Sequence, residues 1–172
     1  MIETRAAEPA DDAALLAIDE ATWTSVVSPS PVPTDRETFF VADRGPDSYL
    51  VADLDGVVSG YVSLHQNIPL PSHAHVVEIN GLAVAPAAQG HGVGRRLVEA
   101  AVAHAAARGA KKVSLRVLGH NTGARRLYER CGFVVEGVLR DEFLLDGALV
   151  DDVLMAYRLP DPGGADDLGD QR

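Results

Sequence analysis

Cysteine is almost missing from this chain: Cys131 stands alone among 172 residues, so no internal disulfide can form. No run reaches the roughly 18 apolar residues that a membrane span needs, and the start, Met1-Ile-Glu-Thr-Arg-Ala-Ala-Glu-Pro, has neither a basic leader nor an apolar stretch. A cytoplasmic protein is therefore expected. Net positive charge is lacking as well. The formal charge of −10 argues against a nucleic-acid backbone as the main partner, because that would demand a broad basic face.

What is present fits an ordinary globular domain: 47% hydrophobic and 23% charged residues, enough for a sizeable core. The charge is unevenly spread. Nine of the fifteen basic residues lie between Arg95 and Arg130 with only two acids, Glu99 and Glu129. Either that region holds an anionic small ligand, or it presents solvated basic helix faces.

Apolar periodicity and turn residues suggest the order of elements. Ile2 to Ala6 reads as a strand, and Pro9 opens a helix that turns Leu15, Leu16 and Ile18 inward. After the loop Ser28-Pro-Ser-Pro-Val-Pro, Thr34-x-x-Glu37 makes a capping box that predicts a short helix through Phe39 and Phe40. Tyr49 to Ala52 and Val57 to His65 form a hairpin about Asp53-Leu-Asp-Gly56. Val76 to Val84 is a buried strand, Val93 to Arg108 an Ala-rich helix, and Lys112 to Leu118 another strand. A helix from Asn121 or Thr122 halts at Gly132, and the strands Phe133 to Leu144 and Ala148 to Leu159 pair about Asp146-Gly147. Such an order predicts an α/β (α+β) fold, a mixed sheet covered by helices, in a single domain over 1–159. Residues 160–172, rich in Pro, Gly and Asp, are expected to be a flexible acidic tail.

The strongest chemical signal is Gln89-Gly-His-Gly-Val-Gly94-Arg-Arg, a glycine-rich turn between a strand and a helix. Residues without Cβ let backbone N–H groups approach a phosphate, and the following helix adds orphan donors and the positive end of its dipole. A P-loop would need Lys after its last Gly, and none follows here. A dinucleotide site wants G-x-G-x-x-G and an acid about 20 residues on; the spacing here is G-x-G-x-G, and no acid lies between Glu99 and Glu129. A tight turn that binds nothing stays open beside a pyrophosphate cradle.

Gln89-x-x-Gly92-x-Gly94, preceded by Leu82-Ala-Val-Ala-Pro86 and followed by Asn121-x-x-Ala124-x-x-Leu127-Tyr128-x-x-x-Gly132-Phe133, resembles the GNAT acetyltransferase superfamily. The resemblance implies a mostly antiparallel sheet of about seven strands flanked by about four helices and splayed between strands 4 and 5. It implies acetyl-CoA as co-substrate, held by Leu82, Ala83 and Val84, by the turn Gln89, Gly90, His91, Gly92, Val93, Gly94 and Arg95, and by Asn121 and Ala124, with Arg125 or Arg126 adding a phosphate contact. Gly81 is the expected bulge of the fourth strand, and the Leu82 N–H the expected oxyanion donor. No metal is implied.

Acetylation needs a neutral amine. Holding a lysine-like ammonium deprotonated at pH 7 costs about 4.6 kcal/mol, an α-amine about 1.4 kcal/mol, so a base is useful. By the resemblance, Glu78, eleven residues before Gln89, is that general base, and Tyr128 the general acid for the CoA thiolate. The expected partner is a small-molecule amine or amino acid, with a protein N-terminus second and a non-catalytic acyl-CoA sensor third. A homodimer is admitted; nucleic acid and membrane are not. Trp23, Phe39, Phe40 and Tyr61 fall in acceptor-facing segments but read as core packing, and His73-x-His75 as a plain loop.

Overall fold

Two hairpins frame the protein, each turned by an Asp-Gly pair in the left-handed region. In the computed structural model, which describes residues 1–31 and 33–160, β2 (Tyr49–Leu54) and β3 (Val57–His65) meet at Asp55 and Gly56, with φ 52° and 82°. β6 (Val134–Leu145) and β7 (Ala148–Arg158) meet at Asp146 and Gly147, with φ 50° and 81°. Positive φ at both central residues gives the turn a twist that matches its strands. Of the tail expected over 160–172, residues 161–172 lie outside the described residues.

With β1 (Ile2–Ala6), β4 (Val76–Val84) and β5 (Lys112–Leu118), these strands make one seven-stranded sheet in the order β1-β2-β3-β4-β5-β7-β6. Every neighbouring pair is antiparallel except β4–β5, which is parallel. Among the described residues no helix is long and apolar enough to cross a membrane.

Strand alternation splits the buried side chains into two cores. Val62, Ile79, Val113, Leu115, Val117, Val153 and Met155 pack beneath α2 (Val93–Ala107), whose Val93, Leu97, Val98, Ala101 and Ala105 are buried, and α3 (Thr122–Arg130) adds Tyr128 to this side. On the other face Val51, Tyr61 and Ala83 meet Leu15 and Ile18 of α1 (Asp12–Thr22), which follows a 3₁₀ turn at Pro9–Asp11.

The helix expected over Thr34 to Phe40 does not form, so three α-helices are present among the described residues rather than about four. Asp35 takes φ 59°, which breaks any right-handed run there. The N–H groups of Phe39 and Phe40 instead donate to the Asp12 carboxylate at 2.9–3.2 Å. That anchor seats the Phe39 ring 5.0 Å from Tyr49 and 4.9 Å from Tyr61, centroid to centroid. Beside it, Asp19 accepts from the Tyr61 hydroxyl and, at 2.5 Å, from Arg36 Nη2. Burial and the Asp19 carboxylate push the Tyr61 phenol well above its ordinary range, so it stays a donor.

The segment after α1 is tied across the molecule. Ser25 Oγ donates to Asp146 Oδ2 at 2.5 Å in the β6–β7 turn, and the Ser25 carbonyl lies 3.1 Å from His120 Nε2 in the β5–α3 loop.

Hydrogen bonds to a carboxylate contribute about 1.5–3 kcal/mol. Asp12→Ala is therefore expected to lower unfolding free energy by about that amount in urea titration; a loss under about 0.5 kcal/mol would mean that the aromatic cluster alone holds the loop.

Candidate active site

The site begins with one residue too many. Ser63 pairs with Gly81 but Leu64 pairs with Ile79, leaving Asn80 of β4 without a partner on β3. A bulge bends its strand and increases the local twist. It lies beside Gly81, as expected, and its consequence is plain on the opposite edge. β4 and β5 pair only from Val76–Lys112 to Ile79–Leu115, and beyond that Asn80–Val84 and Arg116–Leu118 separate as the arms of a fork.

The open arm of β4 offers backbone. Ala85 N–H donates to Ser59 O of β3 at 2.8 Å, so alternation turns the N–H and C=O of Val84 and Leu82 away from β3, into the fork. Gln89 Nε2 donates to Val84 O at 3.2 Å and ties the glycine turn to the strand end.

That turn is shaped by positive φ at Gly90 (80°) and Gly92 (86°), the latter capping α2. The first helical bond is Arg96 N–H to Gly92 O at 3.1 Å, and the N–H groups of Gly90, Gly92, Val93, Gly94 and Arg95 make no backbone hydrogen bond among the described residues. They form a cluster of free donors at the positive end of a 15-residue helix. A Cβ on Gly94 would sit 3.2 Å from Leu127 Cδ2, so its absence lets the first turn of α2 close against α3.

Cradle and fork open into one cleft of about 780 Å³. Leu82, Val84, Gln89, Gly90, Gly92, Val93, Gly94, Arg95, Asn121 and Ala124 line it, together with Tyr128. Asn121 caps α3 by accepting from Ala124 N–H at 3.1 Å, which leaves its NH₂ for a ligand.

The model of the Acetyltransferase (GNAT) family matches residues 13–133. The chain belongs to that family. YhfO of Bacillus subtilis, an uncharacterized N-acetyltransferase, is 36% identical over 84 residues, 49% of this chain and 56% of that protein. Across curated relatives of this kind the alignments span about half of their length or less, 56%, 45% and 30% in three of them. Among solved structures, smu.2055 of Streptococcus mutans superposes with a TM-score of 0.78 at 27% identity, covering 92% of this chain and 98% of that one. A GNAT superfamily phosphinothricin acetyltransferase from Sinorhizobium meliloti, solved in complex with AcCoA, superposes with a TM-score of 0.76 at 24% identity, over 92% of this chain and 88% of its own.

Within this acetyltransferase fold, Tyr128 is 7% exposed and packs 5.7 Å from Phe133, centroid to centroid. Among the described residues nothing hydrogen-bonds its hydroxyl. Burial pushes the phenol above its usual range, so it remains protonated at neutral pH.

Glu78 does not line the cleft. It stands one residue below the last β4–β5 pair, half-buried, opposite His65 on β3 and Ser114 on β5. Because Ile79 enters the core beneath α2, Glu78 faces the side of α1. Burial lowers the His65 imidazole pKa, and its Nε2 is buried without a partner.

Ala83 and His91 are also absent from the lining: Ala83 packs toward α1, and the His91 ring is exposed with Nδ1 3.0 Å from Gln89 O. Arg125 lines a separate cavity with His120 and Arg140, and Arg126 lines neither, so the lining cations are Arg95, Arg116 and Arg130. Burial pushes the Cys131 thiol up, away from nucleophilic use. Arg116, Arg130, Asn80 and Val27 belong to the cleft without having been expected there. Arg116 was legible only as part of the basic excess, and the bulge signal at Gly81 pointed one residue away from Asn80.

At φ 86° a side chain at Gly92 is strained. Gly92→Val is expected to weaken CoA binding at least tenfold by calorimetry while circular dichroism stays native. An unchanged Kd would show that the diphosphate rests elsewhere.

Proposed function

We propose that this family member is an acetyl-CoA-dependent N-acetyltransferase, acting in the cytoplasm as one domain over 1–159. It transfers acetyl to a primary amine of a small molecule or amino acid by direct attack in a ternary complex. The observation that carries the proposal is the set of free amides at Gly90 and Gly92 to Arg95, continuous with the Leu82 backbone and the Val84 N–H, which pair with neither neighbouring strand, in one cleft.

Bound acetyl-CoA supplies an activated acyl carbon and a thiolate leaving group. The cradle N–H groups hold its diphosphate, and the Asn121 NH₂ with the exposed edge of β4 orients its arm. The Leu82 N–H stabilises the oxygen that gains charge as the amine nitrogen bonds to the acyl carbon. Glu78, from the face of α1, takes the ammonium proton directly or through water. Tyr128, from the face of α2, gives its proton to sulfur as the C–S bond breaks, and solvent restores it. The two proton carriers thus approach the fork from opposite faces of the sheet.

One observation favours a second reading: Glu78 lies outside the cleft lining, as in a protein that binds acyl-CoA without turning it over. Thiol release from acetyl-CoA across a panel of small amines, amino acids and peptide N-termini separates the two. Release with any of them supports transfer; binding with no release leaves the sensor.

Tyr128→Phe is expected to reduce kcat at least tenfold with the Kd for acetyl-CoA unchanged, and a parallel loss of both would remove the acid role. Glu78→Gln is expected to lower kcat/KM for an alkylamine by about two orders of magnitude, and less for an α-amine of lower pKa. Equal losses for both amines would overturn the base.

A further inference from the structure

Arg116 occupies the crotch of the fork. It is the first residue of β5 past the last pair with β4, Ile79–Leu115. Since Val113, Leu115 and Val117 enter the core beneath α2, Ser114 and Arg116 face the side of α1, as Glu78 does. Ser114 is the register partner of Glu78, so Arg116 stands roughly 7 Å further along the neighbouring strand on the same face.

The guanidinium is held from behind. Nε donates to Asp152 Oδ2 at 2.6 Å, Nη2 bonds the same oxygen, and the Asp152 side chain is 3% exposed. This uses the Nε/Nη2 edge and leaves the Nη1/Nη2 end free, the geometry that accepts a carboxylate through two parallel N–H bonds. An arginine serving only to neutralise Asp152 has no need of the cleft, yet the Arg116 side chain is 49% exposed and lines it. Asn80, set out by the bulge, is exposed at the same crotch, and among the described residues nothing hydrogen-bonds its amide. The diphosphate cradle lies beyond the far end of β4, so Arg116 and Asn80 are left to the acceptor.

We propose that Arg116, oriented by Asp152, binds a carboxylate on the acceptor, so that the amines taken by this enzyme are amino-acid-like molecules carrying an acid group. The assignment rests on the transfer reaction proposed above. The ammonium is drawn to Glu78 and the carboxylate to Arg116, which presents the nitrogen to the fork in one orientation. Decarboxylated or amidated amines lose the second contact.

The test compares steady-state kinetics for a panel of L-amino acids, their carboxamides and the decarboxylated amines. The enzymes are wild type, Arg116→Gln, Arg116→Lys and the pair Arg116→Gln with Asp152→Asn, which leaves no buried charge alone. The expected result is at least a tenfold lower KM for the acids in wild type. That preference should vanish in both Gln variants and be partly kept by Lys, with the Kd for acetyl-CoA unchanged throughout. Wild type taking amides or decarboxylated amines as well as acids would overturn the proposal and leave the transferase standing. Equal loss for acids and amides in the paired variant would do the same. Acetyl-CoA binding with no thiol release from any amine would remove the transfer reaction, and the acceptor assignment with it.

Discussion

Where Asn80 adds a residue to β4 with no counterpart on β3, the strand leaves β5, and the site is built on that parting. The lost pairs would otherwise satisfy the backbone of Leu82 and Val84. In a closed sheet those groups would be spent on stability. Here they face a cleft whose floor is core beneath α2 and whose far end is the capped start of that helix, with Val84 O taken by Gln89 Nε2. A sheet that stays paired below Ile79 holds the two arms at fixed spacing.

The fork also joins two chemically different faces. One is apolar, closed by α2 and α3, and it lifts the pKa of Tyr128 by burial. The other carries Glu78, His65, Ser114 and the Arg116–Asp152 pair, with α1 and the Asp12-anchored loop at its edge. The basic excess between Arg95 and Arg130 divides by access to the cleft. Arg95, Arg116 and Arg130 reach the cleft; Lys112 pairs with Glu136 at 2.5 Å, and Arg125 turns to another cavity. Three of the nine basic residues are thus available to an anion in the cleft, while others serve local contacts elsewhere.

Much of the fold was legible because local signals and tertiary packing agreed. The strand Val76–Val84, the strand Lys112–Leu118 and both Asp-Gly hairpins followed from alternation and turn chemistry, which are period-two and nearest-neighbour properties. The capping box at Thr34 misled because a carboxylate 27 residues earlier, Asp12, captured the N–H of Phe39. No window on the sequence contains that competition. The glycine turn was legible for the same local reason as the hairpins, since its φ values are written in its residues. Arg116 was not, because its meaning depends on where two strands part and on Asp152, which comes from another strand altogether.

Ser25 binds both the β6–β7 turn and the β5–α3 loop, so three stretches remote in sequence form a single mechanical unit. A change in one of them is felt by the other two. A graft of the segment after α1 from a relative, without its matching partners at His120 and Asp146, would transplant a shape without its fastenings.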